Sequence, residues 1–349
     1  MATVLSFSTV PAFAQFEYEG RVLRASASSE AVTFPYIPID HQYGAQAHMA
    51  FESQLNMLRF NPVFTAKLKD RERELLNLVN IEIRDDQGPV FQVEFHNPKK
   101  PVMVFSWGSA FYAMAFGHVL GAYEILNDDM LIGYFLQSEQ RAALTGQRWF
   151  ELYKFIQLRG NTPPLGTDPK FIMSQQGSTN LILLATTLHE LCHLFLSHEP
   201  QSVEDRRNVI LQRNRELAAD RCAGDHMMRI GANPEAAMTF ATAFDFAQKD
   251  AESASHPPSP ERLAQMRGFG DRLLAAAIAS GAGNADEIRN YRPKLARIQT
   301  VIHDVYKYAN RDIVEQRTTE KDETPDQAFD EPVEAYPPPA AAATGTSPN

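Results

Sequence analysis

Cysteine is almost missing from this chain: 349 residues contain two, Cys192 and Cys222. That excludes a disulfide framework and a four-cysteine metal site. It leaves room for one bridge, which spacing alone does not establish. An excess of positive charge is also missing. Lys and Arg number 33 against 43 Asp and Glu, a formal net charge of −10. A phosphate backbone demands a basic footprint, so nucleic acid is excluded as an expected partner. The deficit is uneven: seven acidic residues from Glu320 to Glu334 face Lys321 alone, so that stretch carries −6 and the remainder −4. There is no internal repeat. The nearest approach to a membrane span is VMVFSWGSAFYAMAFGHVLGAY, Val102 to Tyr123, which has no charged residue but is diluted by Ser106, Gly108, Ser109, Gly117, His118 and Gly121. It reads as a buried strand, Val102 to Ser106, feeding a buried helix capped at Ser109, and no transmembrane segment is expected.

What remains is 44% hydrophobic and 10% aromatic, ordinary for a globular chain. VLSFSTVPAFAQ, near the N-terminus, ends in the small-x-small pattern Ala12-Phe13-Ala14. This favours export over a cytoplasmic location, although no Lys or Arg precedes the apolar stretch. Residues 1–35 are therefore read as a leader or disordered segment, with 1–14 as a candidate signal peptide, and residues 36–317 as one folded domain. Residues 318–349, acidic and then rich in Pro and Ala, have nothing to bury and read as a disordered tail.

Residues 15–35 show no periodicity, and residues 47–81 suit one or two helices interrupted at Pro62. VNIEIRD and VFQVEFH alternate around Asp-Asp-Gln-Gly, a hairpin signal, and PVMVFS adds a third strand. Thereafter the chain reads as helical. One helix should run from about Asp205 to Ile230, a second from the Asn233 cap and Pro234, a third from Ser259 and Pro260. The last, at 285–315, should be kinked or split at Pro293. The expected fold class is α+β: predominantly helical, zincin-like, with a small N-terminal β-sheet.

The chemistry centres on LATTLHELCHLFLSHEP, residues 184–200. His189 and His193 lie one helical turn apart on one face, so both imidazoles can bind one zinc ion while Glu190 reaches a water there. The flanks are apolar, which describes a buried helix. Two histidines and a carboxylate in such a helix carry a desolvation cost that metal ligation offsets. A catalytic zinc usually has three protein ligands. A metzincin would need histidine at 199 and glycine at 196, but these are Glu199 and Leu196. No deformylase-like cysteine segment exists. RNRELAADRCAGDHMM supplies a glutamate instead: Glu216 as third ligand, with Asp220 one turn on to accept a hydrogen bond from a ligand imidazole.

These residues resemble the gluzincin metallopeptidases of the CAAX-prenyl-protease and HtpX heat-shock-protease type. The match comprises His189, Glu190 and His193; His198, five positions on; Glu216 with Asp220; and SHPPSPER, with His256, Pro257 and Arg262. The resemblance covers about residues 181–270. It implies a zinc-dependent endopeptidase with one Zn2+ per chain, Glu190 as general base, and protein or peptide substrates. His256 and Arg262 would stand near the site as candidate catalytic residues stabilising the oxyanion. The alternatives are a catalytically silent zincin-fold scaffold that binds protein, or a phage-exclusion-type peptidase. Other residues have structural readings: His118 in helix packing, Met227, Met228 and Cys192 in the core, His198 in structural hydrogen bonding. A Cys192–Cys222 pairing across adjacent helices would follow only from export.

Overall fold

The computed structural model describes residues 15–18, 21–24, 41–84, 91–94, 100–133, 135–136, 139, 168–199, 202, 204–205, 208–243, 260–281 and 285–322. Contacts divide the chain into two units, Met1–Ala309 and Asn310–Asn349. In chain order the elements are β1 (Gln15–Tyr18), β2 (Arg21–Arg24), α1 (His41–Phe60), α2 (Pro62–Thr65), α3 (Asp70–Leu78), β3 (Asn80–Arg84), β4 (Phe91–Glu94) and β5 (Val102–Ser106). The helices α4 (Trp107–Leu126), α5 (Pro169–Phe195), α6 (Val209–Arg229), α7 (Pro234–Thr242), α8 (Pro260–Ala279) and α9 (Ala285–Asp322) follow. The protein is thus mostly helical with a small three-stranded sheet towards its N-terminus, as the sequence predicts.

Two details of the strands differ from expectation. β1 and β2 form an antiparallel pair, Gln15 opposite Arg24, within a stretch that shows no periodicity. Four residues give a two-residue alternation too few repeats to stand out. The anticipated β3–β4 hairpin does not form, because β5 lies between them. β5 runs parallel to β3, with Ile81 opposite Met103, and antiparallel to β4, with Val93 opposite Met103. Met103 to Ser106 are all buried, whereas β3 alternates exposed and buried residues. The most apolar strand takes the centre, where both of its edges are paired.

The apolar run Val102–Tyr123 is split at Ser106. The Ser109 amide donates to Ser106 Oγ at 3.1 Å, and the Ser106 amide donates to Ser109 Oγ at 3.4 Å. Ser106, rather than Ser109, is the cap, and the reciprocal pair is a capping box that starts α4 at Trp107. Among the described residues, no helix is long and apolar enough to cross a membrane.

α5 carries the HExxH segment. Asp168 caps it, accepting from the amides of Lys170 and Phe171, and Pro169 occupies its first turn. Every residue from Ile182 to Cys192 is buried, so the helix is covered around its whole circumference for three turns. α4 packs directly on its N-terminal half. A Cβ added at Gly117 would stand 2.1 Å from Thr179 Oγ1, and one at Gly121 would stand 3.0 Å from the Phe171 carbonyl oxygen. Only glycine, four residues apart on one face, lets the two backbones approach this closely. His118 beside them is half-buried: its Nδ1–H donates to the Met114 carbonyl at 2.8 Å, and Nε2 accepts from Gln175 at 3.0 Å. This is the expected packing role.

α6 begins four residues later than expected, at Val209, because Asn208 supplies the cap by accepting from the Leu211 amide. α7 starts as predicted, with Asn233 accepting from the Ala236 amide and Pro234 in the first turn. α9 passes through Pro293 as one helix instead of splitting there. Proline removes one hydrogen bond of the ladder. The buried stripe Leu295, Ile298, Val301, Ile302 and Val305 holds the helix across that loss. Met227 is fully buried in the core, as expected, whereas Met228 is only partly so.

Candidate metal centre

His189, Glu190 and His193 lie in the buried C-terminal part of α5, and Glu216 and Asp220 lie on α6, which packs against it. Helical spacing presents each set on one face. His189 Nε2 stands 3.1 Å from His193 Nε2 and 3.0 Å from Glu216 Oε2, while His193 Nε2 stands 3.4 Å from Glu216 Oε1. One donor atom from each of the three residues lies within 4.8 Å of the others. His189 and Glu216 are buried and His193 nearly so.

The tautomers follow from the outer hydrogen bonds. His189 Nδ1–H donates to Asp220 Oδ1 at 2.9 Å, so Nε2 is the nitrogen that faces the cluster and offers its lone pair once its proton is displaced. His198 Nδ1 lies 3.0 Å from His193 Nδ1. Burial, with His193 and Arg215 close by, pushes the His198 pKa down to about 4. A neutral His198 accepts the His193 Nδ1–H, and the second Nε2 lone pair is then also turned inward. Two lone pairs and a carboxylate converging this closely repel one another unless a cation or a proton lies between them. Two imidazole nitrogens and one carboxylate oxygen are the donor set that a catalytic Zn2+ takes, so the residues fit the ion.

Asp220 is itself held. Arg262, from the first turn of α8, donates through Nε to Asp220 Oδ2 at 2.5 Å and through Nη2 to Oδ1 at 2.8 Å. Both side chains are buried. Burial alone would raise the Asp220 pKa, but the Arg262 guanidinium and then His189 outweigh it and hold the carboxyl at about 2. Arg262 therefore reaches the site through Asp220. His256 lies outside the described residues. Glu190 is buried on α5, adjacent in sequence to the first ligand.

Cys192 and Cys222 form a disulfide between α5 and α6, with Cα atoms 5.9 Å apart. Cys192 lies in the core, as expected. The sequence left this pairing open, and it gave no reading of His226. The signal for both was present: Cys222 and His226 repeat, six residues on, the four-residue spacing of Glu216 and Asp220.

Two histidines from one buried helix and a glutamate from the next bring together a donor set of the kind that zincin-type metal sites use. Residues 207–269 match the model of Peptidase family M48. The matched stretch contains Glu216, Asp220, His226, His256 and Arg262, and the HExxH segment precedes it. No curated protein and no solved structure matches the chain.

Proposed function

We propose that this protein is a zinc-dependent endopeptidase. The observation that carries the reading is the convergence of His189, His193 and Glu216 beside a stretch that matches a metallopeptidase family. In this reading His189 Nε2, His193 Nε2 and a Glu216 carboxylate oxygen hold one Zn2+ per chain. Bound zinc would polarise the scissile carbonyl and lower the pKa of water towards roughly 7.

The chain's own residues do the rest. Asp220, fixed by Arg262, keeps His189 in the tautomer that ligation requires and raises its basicity. His198 does the corresponding work for His193. Glu190 accepts the proton of the attacking water and delivers it to the departing amine, which peptide-bond cleavage needs because an amide anion is too poor a leaving group. The oxyanion calls for a donor besides the metal. Arg262 commits Nε and Nη2 to Asp220 and acts as a positioning residue in this scheme, so His256 is the candidate for that donor. Substrates are proteins or peptides.

The test is hydrolysis of an unfolded protein by the zinc-loaded chain, with and without a chelator. Cleavage that stops on chelation and returns with zinc supports the reading. A fully zinc-loaded chain that cleaves no protein or peptide in a broad panel would make it a binding scaffold instead.

A further inference from the structure

The two sulfurs and one imidazole that sit behind the zinc-type centre form a second constellation. Cys192 Sγ, Cys222 Sγ and a ring nitrogen of His226 lie within 4.8 Å of one another. Cys192 and His226 are buried and Cys222 is partly so. Cys222 and His226 stand four residues apart on α6 and present one face, and Cys192 reaches them from α5. Phe64 and Phe195 wall the imidazole, with ring centroids 5.1 and 5.7 Å from it. Two phenyl rings thus give the imidazole an apolar wall.

We propose that this cluster is a redox-gated site for a soft, thiophilic cation, monovalent copper, that is exclusive with the Cys192–Cys222 disulfide. Two thiolates and one imidazole are the donors that select soft d10 ions. Among the described residues the site offers three donors from Cys, His, Asp and Glu side chains, and no fourth of those types. That suits three-coordinate Cu+ better than Zn2+, which in closed protein sites is almost always four-coordinate. Burial and the neighbouring Arg229 push the His226 pKa down to about 4, so the imidazole is already neutral, as a ligand must be.

Gating follows from the chemistry of sulfur. In the disulfide form neither sulfur is a thiolate, and the site cannot form. A dithiol reductant cleaves the Sγ–Sγ bond, passing two electrons and two protons to the cysteines and leaving as its own cyclic disulfide. The cation then displaces the two thiol protons. One residue opposes binding. Arg229 Nη1 donates to His226 Nδ1 at 3.3 Å. If the metal takes Nδ1, this donor is displaced; if it takes Nε2, the ring proton moves to Nδ1 and the bond is lost. Either way Arg229 must withdraw, and it is an exposed side chain that can do so.

The experiment uses the full chain loaded with zinc, as the disulfide and after reduction and anaerobic removal of the reductant. Cu+ is supplied as its bicinchoninate complex and its transfer to protein is followed by colour loss. The reduced chain should take up one Cu+ and the disulfide form none. X-ray absorption should show two sulfur neighbours and one nitrogen neighbour. Cys192→Ser and Cys222→Ser should abolish uptake, His226→Gln should weaken it by at least about tenfold, and Arg229→Gln should leave it unchanged or tighten it. No uptake by reduced wild type would overturn the proposal without reference to any variant. Wild-type affinity in His226→Gln, or a copper shell without nitrogen, would overturn it equally.

Discussion

Arg262 and Asp220, 42 positions apart in sequence, meet as a buried pair with two hydrogen bonds, and the same carboxylate receives the Nδ1–H of His189. The guanidinium thus fixes the carboxylate that fixes the imidazole. Asp220→Ala should weaken zinc affinity or activity by about 10 to 100-fold with the fold intact, and Asp220→Asn by less, since its amide oxygen still accepts the imidazole proton. Arg262→Ala and Asp220→Ala should each also cost stability, by roughly 3 to 5 kcal/mol, because either change removes one partner of a buried ion pair. Zinc titration and chemical denaturation of the three variants separate these effects. Equal zinc affinity in all three and wild type would reduce Asp220 to a bystander.

Ligation and proton transfer are separable at adjacent residues. His189→Ala, His193→Ala and Glu216→Ala should each lose most of the bound zinc, whereas Glu190→Gln should keep it while turnover falls by roughly 10²-fold or more. Metal analysis beside peptidase assays gives both readouts. One zinc per chain retained by Glu216→Ala would eliminate it as third ligand.

Metal uptake should release protons. In the metal-free chain burial pushes the His189 pKa down, but hydrogen bonds donated by its ring to the Asp220 and Glu216 carboxylates outweigh it and hold that pKa well above the ordinary value. A raised folded-state pKa gives the metal-free chain a stabilising contribution that is complete below the unfolded value of about 6.5 and lost as pH rises through the folded one. Zinc must displace that proton, so its apparent affinity should rise with pH, by up to about tenfold per unit for each proton released. Calorimetry in buffers of different ionisation enthalpy counts the protons directly. An affinity independent of pH between 6 and 8 would contradict the arrangement.

The disulfide closes a loop between cysteines 30 positions apart, so it should stabilise the fold by about 3 to 4 kcal/mol through the unfolded chain. The double variant Cys192→Ala, Cys222→Ala and the reduced wild type should therefore share a lowered denaturation midpoint. A midpoint indifferent to reductant would mean that the bridge does not form.

The clustered residues of the candidate site were legible because a single helix fixes their geometry: His189 with His193, and Glu216 with Asp220, are each four residues apart, and that spacing alone aligns them. Contacts that join different helices were less so. Nothing in the spacing of Asp220 and Arg262 requires them to pair, and the bridge joins helices whose packing is not encoded in either one. The sheet shows the same division. Alternation identified β3 and β4, but the order of the strands depended on which one was buried on both edges. Pro293 does not split its helix, because the buried stripe that follows it holds the segment together.

The complete burial of Ile182 to Cys192 also sets how the molecule opens. Their amides have no route to solvent short of separating α5 from the helices around it, and hydrogen exchange there should proceed only by global unfolding. The residues proposed to bear the metal would then belong to the slowest-exchanging unit of the protein. Deuterium uptake should leave this stretch protected long after the ends of the surrounding helices have exchanged. His189, inside that stretch, would keep its geometry through every fluctuation smaller than loss of the fold itself.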